Sequence, residues 1–488
     1  MESVSERRNS VSEVDIATSS KIGVAMKERA WKTALWNRSW DDLSAGKYNA
    51  EGTCRFSDDV GVRLEIPFGD ISRTRELEET GRYVHSLEST RYDYLYGFTQ
   101  DGVRLVLGDV LSDGVGSSSP GGTYENLRAN TVLSSRHEFD PHALIDTVDF
   151  EVEGLREWLG VGYNPEVREG KAEIGCEGED KSLDVYRSGR CSMEIRYGTK
   201  GMRRGRDGIS VSTYAAVHID YANAVSLDDF WSRELWGFQS FLTFCFGSYP
   251  AICRASVKFE GDGRPVDVHR GSFPSRGTRR DYQSVPVPFV SVKDALSDVV
   301  TRWMEMEGDE FQSSKMLASL LGPWKMPIDL QLFAASSMFE SLARSGCGDV
   351  FDSETLKRMV APMLDAADES IRGRSQGLLS LLKRPSYSML LDSAYEESGR
   401  WGRKMVPNWE LFRKEQVKLR NAGAHALGNG GEYEKMVDHH DAQVLIAYII
   451  VMRRLGLPDE AFDRFEDSTF MNVSKIRVSR HYAVAESQ

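Results

Sequence analysis

The 488-residue sequence has no pair of cysteines with the spacing of a metal or redox motif. Its six cysteines stand far apart, at positions 54, 176, 191, 245, 253 and 347. The lack of any Cys-x2-Cys spacing excludes a zinc ribbon and a thioredoxin-type site. Isolated thiols in a long chain indicate buried, reduced cysteines. We therefore predict no metal site.

Long hydrophobic runs are also missing. The longest, Val444 to Met452, has nine residues, whereas a membrane-spanning helix needs ~20. The polar first twenty residues lack the apolar core of a signal peptide. We expect a cytoplasmic protein without a membrane segment.

The sequence also lacks an excess of positive charge, with 61 Lys and Arg residues against 74 Asp and Glu residues. The formal net charge of −13 argues against a surface that coats nucleic acid non-specifically. Residues 407–427 are an exception, because they carry four cations against two carboxylates.

The glycine-rich stretch Asp113 to Thr123 lacks the Lys-Ser/Thr ending of a phosphate-binding P-loop, so we predict a flexible loop there without a nucleotide role.

The spacing of hydrophobic residues along the sequence divides the chain into regions of different predicted secondary structure. Residues 1–36 are predicted to be a disordered tail and a short helix, Lys21 to Trp36. Period-two alternation over 37–165 and again over 166–285 predicts two β-rich regions. Residues 286–488 have a helical pattern. The predicted fold class is α+β and multidomain, with β-rich N-terminal regions followed by an all-α bundle.

Two segments before residue 286 have additional interpretations. Leu227 to Phe246 is predicted to be a helix with aromatic residues on most faces. A buried core or interface helix is the favoured interpretation, and a ligand pocket is the alternative. Gly261 to Pro288 is rich in Gly, Pro, Arg and Ser and is predicted to be a linker or exposed loop.

The helical half contains Arg420-Asn421 followed by His425, at the end of a predicted helix from Trp409 to Leu427. Lys414, Lys418, Asn421 and His425 share one helical stripe that ends in a titratable imidazole. A second Arg-x4-His, Arg264 to His269, alternates like a strand and is interpreted as a chance match. For Arg420 and His425, the simplest alternative is a solvated helix end at which the two cationic side chains cap the C-terminus.

The surrounding helices resemble the HEPN superfamily of helical ribonucleases. Its signature is Arg, usually followed by Asn, with a His four to six residues later, which Arg420, Asn421 and His425 match. Ile328 to Arg344 resembles the first core helix of that family, with Glu340 as its acidic residue, and Asp441 to Leu457 resembles the closing helix.

The resemblance implies a metal-independent endoribonuclease without a cofactor. Arg420, Asn421 and His425 would be catalytic, Glu340 supporting, and Lys414 and Lys418 RNA-binding. A homodimer or higher even oligomer is expected, because the family pairs its active-site helices. Some members carry a modified tyrosine two residues after the histidine, where this chain has Leu427, so that form of regulation is not expected.

The N-terminal half resembles the ApeA type of bacterial anti-phage protein, on the segments GTCRFSDDVGVRLEI, YGFTQDGVRLVLGD and TVDFEVEGLREWL. That resemblance implies a sensing region for a phage-derived protein or other infection signal, joined to a HEPN nuclease. Two alternatives stay open. The helical domain is a catalytically silent module that binds RNA or a partner, or the β-rich half is an enzyme on another substrate.

Three other candidates are set aside or left open. His439-His440-Asp441 is interpreted as a solvated helix start rather than a set of metal ligands, since adjacent side chains diverge by ~100°. The acidic cluster from Glu305 to Glu310 is interpreted as a solvated face. Glu340 either orients Arg420 or His425 or pairs with a surface cation.

Overall fold

The protein is described by a computed structural model over residues 29–57, 61–71, 73–77, 83–87, 91–118, 122–161, 164–168, 171–175, 181–205, 208–270, 284–322, 326–422 and 431–483. Within these ranges a β-rich N-terminal region is followed by an all-helical C-terminal region. The predicted fold class is therefore confirmed.

Several strands of the N-terminal region alternate between buried and less buried residues, as strands with one face on a core do. Seventeen strands lie in the described part of this region. They are β1 (Arg29–Asn37), β2 (Ala50–Ser57), β3 (Gly61–Phe68), β4 (Arg73–Leu77), β5 (Tyr83–Leu87), β6 (Arg91–Thr99), β7 (Arg104–Ser118), β8 (Gly122–Ala129), β9 (Thr131–Ser135), β10 (Ile145–Val152), β11 (Asn164–Arg168), β12 (Lys171–Gly175), β13 (Lys181–Arg187), β14 (Cys191–Gly205), β15 (Gly208–Val225), β16 (Ile252–Phe259) and β17 (Val266–Arg270).

Thirteen of the described strands form one antiparallel sheet in the order β13-β14-β15-β10-β16-β17-β9-β7-β6-β1-β2-β3-β8. Strand β8 also pairs with the second half of β7, so six strands close into a ring. The sheet runs through both predicted β-rich regions, because β10 of the first pairs with β15 and β16 of the second.

The ring has its own apolar interior, built around Trp36, whose indole Nε1 donates to the Gly52 carbonyl at 3.2 Å. Gly97 pairs with Trp36 across the β1–β6 ladder. A Cβ at position 97 would lie 2.7 Å from the Trp36 ring. Only glycine lets the two strands approach with that ring between them.

Fourteen α-helices lie in the described chain: α1 (Trp40–Ser44), α2 (Leu155–Trp158), α3 (Leu227–Asp229), α4 (Trp236–Phe246), α5 (Leu296–Met304), α6 (Gly308–Leu320), α7 (Ile328–Ser345), α8 (Ser353–Asp365), α9 (Glu369–Ser380), α10 (Tyr387–Met405), α11 (Trp409–Ala422), α12 (Gly431–Arg454), α13 (Asp459–Asp467) and α14 (Asn472–His481). A π-helical segment, Phe230–Leu235, joins α3 to α4. These three pieces form the predicted aromatic helix, which we call the aromatic helix below.

The aromatic helix packs between the sheet and the C-terminal helices. Phe244 stacks on Tyr448 of α12 with ring centroids 4.8 Å apart, and the Tyr448 hydroxyl donates to the Phe244 carbonyl at 3.0 Å. Trp303 of α5 also contacts Phe244, with ring centroids 5.3 Å apart, and its indole Nε1 donates to the Gly237 carbonyl at 3.1 Å. One hydrophobic core thus continues from the sheet into the helical region, across the domain boundary expected at residue 286.

Three local predictions are wrong. The helix predicted over Lys21 to Trp36 is strand β1 from Arg29 onward, because pairing with β2 and β6 outweighs local helix propensity; its first part lies outside the described residues. The loop predicted at Asp113 to Thr123 instead continues β7 to Ser118 and opens β8 at Gly122, with backbone pairing that needs no large side chains.

The linker predicted at Gly261 to Pro288 contains β17, whose alternating residues fill the gap between β16 and β9. His269 of the second Arg-x4-His lies on this strand, as its alternation indicated. Both hairpins and most other strands lie close to where alternation predicts them. Among the described helices none combines the length and apolar character needed to cross a membrane.

Candidate functional site

The candidate site lies at the end of α11, the helix that carries Arg420 and Asn421. The helix starts after Pro407, and the Asn408 side chain accepts from the Leu411 amide at 3.1 Å, as an N-cap residue does. Trp409 then stacks on Tyr395 of α10 with ring centroids 4.1 Å apart. The first turn of α11 is therefore fixed against α10.

A carboxylate reinforces that contact. Asp392 of α10 accepts from Trp409 Nε1 at 2.9 Å and from Arg413 at 2.7 Å. Each charge-assisted bond of this kind is worth roughly 1.5–3 kcal/mol when its groups are shielded from water. Because Arg413 and Asp392 are more than one-third exposed, solvent screening reduces the contribution of their ion pair to about 1 kcal/mol or less.

One turn before Arg420, a buried glutamine holds α11 against α7 and α10. Gln416 is fully buried and donates through Nε2 to Ser336 of α7 at 3.1 Å and to Tyr387 of α10 at 3.2 Å. Gln443 of α12 donates to the same Ser336 hydroxyl at 3.1 Å. These hydrogen bonds hold α11 in place one turn before its described end at Ala422.

A second polar cluster holds a neighbouring face of α11, about 100° around the helix from Gln416. Glu415 accepts from His481 of α14 at 3.2 Å and lies 3.4 Å from His439 of α12. His439 shares a 2.8 Å hydrogen bond with the Tyr482 hydroxyl, and His481 lies 2.9 Å from Asp438. The C-terminal helices therefore clamp α11 from α7, α10, α12 and α14 together.

His439 is a structural histidine rather than an acid-base group. Its side chain is about 1% exposed, and burial lowers the pKa of His439 to about 4. It is neutral at physiological pH and lies inside α12. The solvated helix start predicted for His439-His440-Asp441 is therefore wrong.

Arg477 explains why that prediction fails. This α14 residue pairs with both Asp438 and Asp441, which are buried. The attraction between the Arg477 guanidinium and the two carboxylates offsets the cost of removing these charges from water. No group of His, Cys, Asp and Glu in the described chain has the geometry of a metal site.

The predicted site residues have different outcomes. Arg420 and Asn421 occupy the last turn of α11 as the structure describes it, and His425 lies outside the described residues. Lys414 and Lys418 are exposed on α11, as a track for a polyanion requires. The helical assignment is confirmed as far as Ala422, and the catalytic roles stay predictions.

Glu340 lies on α7, whose bounds match the predicted first core helix. It accepts from Arg344, one turn further on the same helix, at 2.7 Å. This contact fits the alternative in which Glu340 pairs with a surface cation. A role for Glu340 in orienting Arg420 or His425 stays a prediction. The acidic cluster from Glu305 to Glu310 is half-buried or exposed apart from its apolar members, as predicted.

Sequence reasoning missed the residues that position α11. Gln416 and Glu415 are polar side chains beside the apolar stripe of Trp409 and Phe412. A buried glutamine one turn before an arginine is a signal that a helical wheel can show. The partners on α12 and α14 have no such signal, because their proximity depends on the tertiary fold.

Comparisons with known proteins identify the N-terminal region. The family described as ApeA N-terminal domain 1 matches residues 34–303, from β1 to α5, and so covers more than half of the chain. No curated protein and no solved structure matches the chain. The matched segment contains the ring, the rest of the large sheet and the aromatic helix. The chain therefore belongs to the ApeA N-terminal domain 1 family.

Proposed function

We propose that this protein is an anti-phage defence protein of the abortive-infection type, with a metal-independent HEPN endoribonuclease in its C-terminal helices. The observation that carries the proposal is the pairing of an ApeA N-terminal domain with Arg420-Asn421-x3-His425 at the end of a clamped helix. The proposal is supported by helices at both segments that resemble HEPN core helices: α7 has the predicted start, and α12 covers most of Asp441 to Leu457, although it begins earlier, at Gly431, and ends at Arg454.

The proposed reaction needs no external nucleophile. The 2′-oxygen of the RNA attacks the adjacent phosphorus, a new O–P bond forms, and the bond to the 5′-oxygen breaks. His425 takes the 2′-hydroxyl proton or gives a proton to the leaving 5′-oxygen, since an ordinary imidazole pKa of ~6.5 suits both transfers. Arg420 neutralises charge on the phosphorane-like transition state, and Asn421 binds the phosphate or orients the imidazole.

Two subunits would divide the proton transfers. On an ideal helix positions 420 and 425 diverge by ~140°, and a single imidazole serves poorly as both acid and base in one turnover. A homodimer would bring a second His425 to the same cleft. The α8–α9 segment presents exposed apolar side chains, among them Met363 at 58% and Leu378 at 62%. Clusters of this kind are typical of surfaces that a partner covers, and we assign this one to the second copy.

Control would pass through the shared core. The aromatic helix of the ApeA domain packs directly on α12 and α5, so a change in the N-terminal region reaches the nuclease helices without a flexible linker. A phage-derived trigger that binds the active arrangement more tightly would shift the population. A change from 1:99 to 99:1 requires ~5.5 kcal/mol of such preference.

The test is RNA cleavage by the purified full-length chain in the presence of a chelator. His425→Ala should lower the rate ~10²–10⁴-fold, the usual contribution of a general acid-base group. His142→Ala, an exposed histidine of the N-terminal region, is the matched control and should cleave like wild type. Equal cleavage by the His425→Ala protein would contradict the catalytic assignment and favour the silent RNA- or partner-binding module.

A further inference from the structure

A cavity of about 690 Å³ opens where the aromatic helix crosses strands β16 and β17 beside the ring. Its volume falls within the ~300–1,000 Å³ of small-molecule sites. Packing voids in protein interiors are rarely larger than a water molecule. The cavity is therefore large enough for a small ligand.

The helix wall of the cavity is the π-helical segment Phe230–Leu235, which contributes Trp231, Ser232 and Leu235. Such segments are rare and costly, because one extra residue widens the helix and weakens its hydrogen bonds; they occur mostly at functional sites. The flanking pieces, α3 and α4, are regular. The irregularity coincides with the cavity wall.

The lining combines flat aromatic faces with an apolar floor. Trp231, Trp236 and Tyr249 supply the aromatic faces, and Ala255 and Val268 supply part of the floor. Trp231 is 8% exposed, and its indole N–H has no hydrogen-bond acceptor within the described residues. A buried donor normally has an acceptor, so an aromatic ligand with ring acceptors suits this wall.

The rim carries cations. Arg270 is exposed, and its guanidinium lies 5.1 Å from the centroid of the Trp231 ring. Arg254, also on the rim, pairs with Asp267 at 2.9 Å. Stacked on an indole, the Arg270 fork is oriented for an anionic group at the mouth while a ring occupies the interior. Asp228 is the acidic residue of the lining and disfavours a second anion on its side.

We propose that this cavity binds a small ligand made of a planar heteroaromatic ring and one anionic group, the chemistry of a nucleoside monophosphate. The ring lies between the aromatic side chains and the strand floor, and the phosphate meets Arg270. The wall residue Trp236 also faces the helical region, since the Lys315 ammonium of α6 lies 4.8 Å from its ring centroid. A bound ring would thus touch a residue shared with the C-terminal helices.

The test uses the full-length chain with AMP, GMP, CMP and UMP, each up to about 1 mM, the upper range of weak binding. Tryptophan fluorescence and calorimetry should show saturable binding of at least one nucleotide. Inorganic phosphate and the nucleoside of the preferred nucleotide (adenosine in the case of AMP) each provide half of the ligand. Each should bind at least tenfold more weakly than that nucleotide. Phosphate binding as tightly as the nucleotide would overturn the role of the ring.

Arg270→Gln should weaken nucleotide binding about tenfold or more, the loss expected for one charge-assisted contact. Arg264→Gln is the matched control, because Arg264 is exposed in the same stretch but pairs with Asp262 outside the cavity. Trp231→Phe keeps an aromatic wall without the N–H and should give an intermediate loss. No binding of any of the four nucleotides, or equal affinity of the Arg270→Gln and Arg264→Gln proteins, would overturn the proposal.

Discussion

Lys315 gives the sharpest prediction about stability. This α6 residue is 5% exposed, and its ammonium donates to Ser240 of the aromatic helix at 2.9 Å. The rings of Trp236, Trp303 and Phe311 surround it at 4.8, 5.1 and 5.3 Å from Nζ to the centroids. Burial lowers the pKa of Lys315 from its usual 10.5 to about 7.

The sign of the pH dependence follows from that lowered pKa. Below pH 7 the amine is protonated in both states, and folding bears the full cost of burying the charge. Between about 7 and 10.5 the unfolded chain holds a proton that the folded chain lacks, so stability rises by about 1.4 kcal/mol per pH unit. Above 10.5 both states are neutral and the cost is gone.

Lys315→Met removes this titration while keeping most of the side-chain volume. The variant should be more stable than wild type at pH 6, and its advantage should shrink by roughly 3 kcal/mol by pH 9. Urea unfolding of both proteins at several pH values measures the difference, in which other titrating groups cancel. Lys293→Met, at an exposed position, is the control and should show no such trend.

The aromatic rings oppose this effect, because their faces favour the charged amine by up to ~2 kcal/mol when water is excluded. A constant stability difference from pH 6 to pH 9 would show that the rings and Ser240 solvate the ammonium fully. That result would refute the reasoning from burial.

Two further predictions concern the C-terminal helices. Replacing Lys414 and Lys418 together by Gln should weaken RNA binding and lower its salt dependence, because the loss of two phosphate contacts reduces counterion release from single-stranded RNA by ~1.4 ions. An unchanged slope of log affinity against log salt concentration in a filter-binding assay would contradict the proposed role of these lysines. Leu378→Glu should convert the expected dimer to a monomer in light scattering at micromolar concentration, because the change would bury a charge in the proposed dimer interface. The control Lys357→Gln, a polar change on α8, should leave the mass unchanged. A wild-type protein that is monomeric and active on RNA would contradict the dimer.

The strands were predictable where alternation coincides with local pairing. The hairpins β2–β3 and β6–β7 have short connections and a clear period of two, so local sequence specifies them. β1 was not predictable, because Ala, Lys and Leu give it a helical composition and one of its two partners, β6, is distant in sequence. The long β7 was cut short for a similar reason, since glycine and serine in Asp113 to Ser118 resemble a loop until β8 pairs with them.

The site shows the same division between local and distant information. The helical pattern located α11 and its exposed lysines. It could not show that Glu415 meets His439 and His481, since these contacts span α12 and α14. The prediction of a solvated helix start at His439 and Asp441 is wrong because a charged tripeptide resembles a surface in sequence. Its burial depends on distant partners, Arg477 for Asp441 and Tyr482 for His439. The aromatic helix is mainly core, as favoured, yet its π-helical segment lines a cavity that composition alone could not locate.

Phage infection of cells that express the full-length chain tests the central claim most directly. Wild-type protein and the His142→Ala control should reduce plaque formation, while His425→Ala, at equal expression, should give none of that protection. Loss of protection together with loss of RNA cleavage is the result that the nuclease proposal predicts. Full protection by the His425→Ala protein would contradict it.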